Sequence, residues 1–186
     1  VILILLFSTT LASREIGETE ITTEDGIEVY QKEKFYLLKK NVKIESDSFT
    51  LSADKVKIDF EENLYDIIKL YAEGNVDFNS QEFEMRGSGE FLELAVKIEN
   101  LKVKGKGSQL TTKDVKMFSD GFIEVSNLSG DFLLKGINSK LINDNIIIEA
   151  ENINGNFSDN ADKKEITYLE LFDNKISYVK NNDTEM

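Results

Sequence analysis

The chain contains no cysteine and no histidine. The first absence excludes a disulfide framework and any thiolate metal site. The second removes the most common general base, the commonest zinc ligand and every Ser–His or Cys–His pair. Carboxylates are plentiful, but they are scattered along alternating segments, and no pair stands in an apolar setting that would raise a pKa. The sequence therefore reads as non-catalytic, with no cofactor and no metal. Arginine is nearly missing too, with only Arg14 and Arg86 present. Together with a formal charge of −13, this excludes the basic surface that nucleic acid requires. Proline is also absent, which is odd for a β-rich chain and suggests no function by itself.

What is present is globular. A length of 186 residues, 40% of them hydrophobic and 31% charged, suits one domain with a real core. From Ile21 onward, short runs alternate apolar with polar residues. Ile27 and Val29 do so, as do Val42 and Ile44, then Phe49, Leu51 and Ala53. Later come Val76 and Phe78, Val96 and Ile98, Leu101 and Val103, Val115 and Met117, Ile123 and Val125, and Ile146, Ile148 and Ala150. A period of two predicts half-buried strands, and turn formers such as Gly74-Asn75 and Ser119-Asp120-Gly121 separate them. No stretch carries a helical stripe. The phase flips inside one run: Leu51 and Ala53 are odd, whereas Val56, Ile58 and Phe60 are even. A strand cannot change faces without an extra residue, so a bulge or corner is predicted at Asp54-Lys55.

The runs also repeat. Asn41-Val42-Lys43-Ile44 matches Asn75-Val76-Asp77-Phe78, and at the same offset Phe49 matches Phe83 and Leu51 matches Met85. A second match joins residues 122–132 to residues 147–157. Beneath both lies a unit of two short strands joined at a corner, as in Leu51-Ser52-Ala53-Asp54-Lys55-Val56, in residues 148–153 and loosely in residues 110–115. One unit cannot bury its own apolar face, but stacked units can, as facing sheets. The two ends of such a stack expose unpaired backbone groups that invite another chain.

The N-terminal run Val1 to Phe7, followed by small residues at Thr10 and Ala12, reads as the end of a signal peptide. A buried strand or part of a membrane anchor remain open readings of the same run. On this reading residues 1–12 are a signal-peptide remnant, 13–26 a flexible lead-in, 27–180 one domain and 181–186 a tail.

Leu51-Ser52-Ala53-Asp54-Lys55-Val56-Lys57-Ile58, the apolar run at Ile67-Ile68-Lys69-Leu70, and Tyr71-Ala72-Glu73-Gly74-Asn75-Val76-Asp77-Phe78 resemble the OstA-like domain of the LptA family. The shared pattern is an alanine–aspartate pair after alternating apolar residues, then alanine–x–glycine–asparagine–valine. Lys40-Asn41-Val42 resembles an earlier copy with Lys40 in place of glycine, and residues 148–153 with 166–174 resemble a later, worn one. The resemblance is strongest over residues 41–94 and weaker over 105–145.

The resemblance implies an all-β fold: an open twisted β-jelly roll of repeated antiparallel strand pairs, with an apolar groove. It further implies lipopolysaccharide transport across the periplasm, with lipid A acyl chains in the interior. LptC-like and LptD-like jelly rolls would stack end to end with it as partners, and self-association is a further expectation. An LptC-like anchored subunit and a structural surface β-solenoid with a filled core are the alternatives.

Twelve apolar positions are expected to point between the sheets and line the groove: Val42, Ile44, Phe49, Leu51, Val56, Ile58, Val76, Phe78, Phe83, Met85, Phe91 and Leu94. Ordinary core packing is the competing reading for each. Ile27 and Val29 at one end, and Ile176 and Tyr178 at the other, are the candidate docking edges. Lys55 and Lys57, and Lys102, Lys104 and Lys106, alternate on one face. They read as edge guards or, more sharply, as contacts to lipid phosphates. Gly87-Ser88-Gly89 and Gly105-Lys106-Gly107 begin no strand–loop–helix unit, so bends explain them better than phosphate loops.

Overall fold

The computed structural model describes residues 19–63, 66–143, 146–160, 163–172 and 178–181. Two short strands, β1 (Glu20–Thr22) and β2 (Ile27–Tyr30), pair with opposite ends of β3 (Phe35–Glu45). Strands β4 (Phe49–Phe60), β5 (Ile67–Ser80) and β6 (Met85–Ala95) follow as antiparallel neighbours. Then come four shorter strands, β7 (Asn100–Lys104), β8 (Ser108–Thr112), β9 (Val115–Ser119) and β10 (Phe122–Ser126). The chain closes with β11 (Asp131–Asn143), β12 (Ile146–Asn160), β13 (Lys163–Phe172) and β14 (Tyr178–Asn181).

These strands make one antiparallel sheet that bends along a single line. The register breaks between Lys39 and Val42 in β3, Ser52 and Lys55 in β4, Glu73 and Val76 in β5, and Lys135 and Ser139 in β11. Where the bend meets β7–β8 and β9–β10, the chain turns instead, and each of these pairs is one bent strand cut in two. The far end of β6 pairs with β7, its near end with β8; β11 pairs with β10 on one side of the bend and β9 on the other. Two half-sheets result. The front one holds β2, β7, β10 and β13, and the back one holds β1, β8, β9 and β14. The fold is thus all-β, an open roll of bent strand pairs, and among the described residues its only helical turn is the 3₁₀ turn Val96–Ile98.

Alternation fills the space between the half-sheets. Val103 on the front and Leu110 and Met117 on the back are fully buried, as are Ile123, Leu134 and Ile153, and all belong to one continuous apolar cluster. The layers meet closely: a Cβ on Gly89 would sit 2.7 Å from Val103 Cγ1 and 3.1 Å from the Lys104 carbonyl oxygen. At that slot only glycine lets the backbones approach.

The corner expected at Asp54-Lys55 is present, and it explains the alanine–aspartate and glycine–asparagine pairs. Gly74 (φ +76°) and Asn75 (φ +47°) are both left-handed, as are Lys40 (φ +59°) and Asn41 (φ +48°) one repeat earlier. Consecutive left-handed residues turn the strand, which few side chains tolerate. Asn75 Nδ2 then donates to Asp54 Oδ2 at 2.9 Å, tying the corner of β5 to that of β4. Lys40 pairs with Asp25 at 2.9 Å, and Asn41 donates to Glu24.

Several sequence expectations need correction. The lead-in is not free of structure: Glu20–Thr22 pairs with β3, and Ile21 packs against the core. Val96 and Ile98 are not strand residues but form the exposed 3₁₀ turn. The match of residues 122–132 with 147–157 joins unlike places, since the first crosses the hairpin from β10 to β11 and the second runs through the bend of one strand, β12. The copy at residues 110–115 likewise crosses a hairpin. Residues 1–12 and 182–186, the proposed signal remnant and most of the tail, lie outside the described residues.

Candidate functional site

The interior is the natural place to look, since it is the one feature that every bent strand helps to build. Of the twelve predicted lining residues, Val42, Ile44, Leu51, Val56, Ile58, Val76, Phe78, Met85 and Leu94 are buried in the apolar cluster. Phe49 and Phe83 pack against it while partly exposed, Phe49 at the start of β4 and Phe83 in the turn before β6, both at the free end of the back half-sheet. Ser46 Oγ accepts from the Phe49 N–H at 3.1 Å, and Ser80 Oγ accepts from the Phe83 N–H at 3.2 Å. The rings of Phe49 and Phe78 lie 5.7 Å apart, so the mouth and the interior are in contact.

Phe91 is the exception. It is 44% exposed and stands on the outer face, while Leu92 and Leu94 point inward. Residues 91 and 94 cannot both face inward without a bulge between them, and the pairing of β6 with β7 is regular there. The interior also runs further than the twelve positions. Tyr36, Leu38 and Leu70 belong to it, and so do Leu101, Phe132 and Leu141. Their alternation is visible in the sequence; what is weaker over that stretch is the family motif.

Among the described residues, the buried set contains no charged side chain. Its one shifted titratable group is Tyr36, whose phenol burial pushes up to about 12. Among the described residues, no group of three metal-ligating side chains converges. Polar groups enter the interior at the bend and, with Ser80 and Thr112, at the free end of the back half-sheet. Ser139 Oγ donates to the Gly136 carbonyl at 2.8 Å, Ser119 Oγ to the Lys135 carbonyl at 3.0 Å, and the two hydroxyls lie 3.0 Å apart. Ser108 Oγ donates to the Gly105 carbonyl at 2.7 Å. These hydroxyls satisfy carbonyls that the bend takes out of the ladder.

At the N-terminal end, Ile27 lies opposite Leu38 and Val29 opposite Tyr36, which puts both on the inward face of the front half-sheet. Yet they are 51% and 46% exposed. The apolar lining therefore continues past the last covered strand and ends uncovered. At the other end, Tyr178 begins β14 opposite Glu149, and Ile176 lies outside the described residues. Lys55, Lys57, Lys102 and Lys104 alternate with inward residues and stand on the outer face, each with an acidic neighbour; Lys106 sits in the corner turn between β7 and β8.

Fold and site together define an open β-roll with a continuous apolar lining. The model of a family described as "LptA/(LptD N-terminal domain) LPS transport protein" matches residues 21–121, more than half of the chain. The chain belongs to this LptA and LptD N-terminal domain family, which consists of transport proteins rather than enzymes. Among solved structures, it is similar to LptH from Pseudomonas aeruginosa, described as the LptA homologous periplasmic component of the lipopolysaccharide transport device. The two are 14% identical over 75% of this chain and 76% of that one, with a TM-score of 0.33. No curated protein sequence matches the chain.

Proposed function

We propose that this chain is a periplasmic lipopolysaccharide-binding protein, exported by its N-terminal signal, that forms one link of a bridge between the inner and outer membranes. The acyl chains lie between the half-sheets, and LptC-like and LptD-like rolls stack on its two ends. The observation that carries the reading is the family match over residues 21–121, which spans the half-sheets from β1 to the end of β9. The uncovered inward face at Ile27 and Val29 supports the stacking, because it offers apolar surface in line with the interior. Apolar burial supplies the affinity, at about 0.8 kcal/mol per methylene taken out of water. The interior side chains close on one another, so an acyl chain enters by parting the half-sheets at their free ends, where Phe49 and Phe83 stand.

That same filled interior favours a second reading, a structural β-solenoid in which the lining is core and nothing more. Native mass spectrometry of residues 13–186 from a Gram-negative envelope fraction separates the two. Co-purified lipopolysaccharide or lipid A with concentration-dependent oligomers is the expected result. A lipid-free monomer that also ignores added lipopolysaccharide overturns the transport reading. Phe83→Asp, at the partly exposed mouth, is expected to abolish lipid binding and leave the fold intact. Phe78→Asp is the poorer test, because Phe78 is buried and an unpaired carboxylate there unfolds the chain.

A further inference from the structure

The outer face of the front half-sheet holds a groove of about 510 Å³ that the interior reading does not use. It crosses from β3 to β7, about 19 Å at the usual strand spacing of about 4.8 Å. Its walls are Phe35 and Leu37 on β3, Tyr71 on β5 and Phe91 on β6. The exposure of Phe91, a large apolar ring aimed away from the core, has its explanation here. Lys55 and Lys57 on β4 stand at one side and Lys104 on β7 at the other. Lys57 Nζ lies 4.7 Å from the centre of the Phe35 ring and 5.5 Å from that of Tyr71, so its charge sits over the aromatic floor.

We propose that this groove binds a single-chain anionic amphiphile, with its head at Lys55 and Lys57 on β4 and its tail running away from them along Tyr71 and Phe91. Three observations carry the assignment. The floor is aromatic and aliphatic, as in small-molecule sites generally, and the lysine stems extend it, with the Lys57 ammonium standing over its rings. Lys55 is held only loosely by Glu73, at 3.7 Å, so an anionic head engages it without breaking a short ion pair, while Lys57, 2.7 Å from Asp59, adds a shared charge beside it. The chain as a whole carries −13, which repels an anion from most of its surface and leaves this lysine-edged face as a place to land. Glu73 and Glu93 also line the groove, the latter 3.2 Å from Lys104, and keep its net charge small. Affinity therefore needs both parts: the tail buries apolar surface, and the head engages the lysines, which also set its orientation. The chemistry, an acyl chain ending in an anion, is shared by a free fatty acid or lysophospholipid and by the acyl-phosphate part of a larger glycolipid.

The sequence has no tryptophan, so Phe91→Trp places a sole indole in the groove. Dodecyl phosphate below its micelle concentration is titrated against the full chain carrying this change. A saturable blue shift is expected, with at least a tenfold weaker apparent Kd once Lys55→Glu and Lys57→Glu are added and no change in melting temperature. Tyr71→Trp, as a second reporter, is expected to behave alike. No shift at either reporter, an equal response to the uncharged octyl glucoside, or an affinity within twofold after charge reversal overturns the proposal. A further arm with lipid A distinguishes the sources: response to both ligands assigns the glycolipid, and response to dodecyl phosphate alone assigns a free amphiphile. Response to lipid A alone overturns the single-chain assignment. The interior is read separately by co-purified lipopolysaccharide, so either site can fail without the other.

Discussion

From β3 to β6 the sheet turns its corner on left-handed backbone and is braced from outside. Lys40, Asn41, Gly74 and Asn75 hold positive φ, and the braces run between exposed side chains, Asn75 to Asp54 and Lys40 to Asp25. From β7 to β12 the corner also has left-handed residues, Gly136 and Asn138 among them, and an exposed brace from Asn138 to Asp120, but strands are interrupted at Gly105 and Gly121 and the buried hydroxyls of Ser108, Ser119 and Ser139 add support from within. Exposed braces compete with water, whereas buried ones have no substitute. The first stretch therefore depends on backbone conformation, and the second on buried polar satisfaction as well.

Substitutions test this contrast. The largest loss is expected from Gly74→Val, which forces a β-branched residue into φ +76° and drives its Cβ to 2.2 Å from Asp54 Oδ2. Urea denaturation is expected to show about 2–3 kcal/mol of destabilisation. A loss below about 1 kcal/mol would mean that the left-handed pair does not set the corner. Ser139→Ala comes next, at about 2 kcal/mol, because the partly buried Gly136 carbonyl then loses the hydroxyl that donates to it. Asp54→Ala is expected to cost only about 0.5–1 kcal/mol, and a double-mutant cycle with Asn75→Ala reads their coupling. If Asp54→Ala exceeded Ser139→Ala, the contrast between the two corners would be wrong.

The last test makes no difference at neutral pH. Buried Tyr36 keeps its proton up to about 12, whereas the unfolded chain releases it near 10. Its contribution is intact below pH 10 and is lost as pH rises through about 12, because the unfolded state ionises first. Tyr36→Phe is expected to flatten the fall in melting temperature over that window.

Much of this was legible in the sequence. The phase flip at Asp54-Lys55 marked the bend, because faces are fixed by parity, and the two asparagine–valine repeats fell on equivalent corners. Phe91 departs from the expectation because an apolar residue beside other apolar residues shows its face only through its parity, which is opposite to that of Leu92 and Leu94. The serine braces escaped notice for a related reason: Ser119 and Ser139 occupy inward slots, but a polar residue there reads as the end of an apolar run. The 3₁₀ turn at Val96–Ile98 mimicked a strand, since three residues cannot separate the two periods. The outer groove needed the sheet itself, for its walls come from strands distant in sequence.

The bent strands follow one another in the sheet in the order in which they occur in the chain. Insertions in the turns therefore leave the span of the roll unchanged, whereas each added hairpin lengthens it by about 10 Å, two strand spacings. Reach is a countable property of this architecture: the distance one molecule covers is set by how many hairpins its gene encodes.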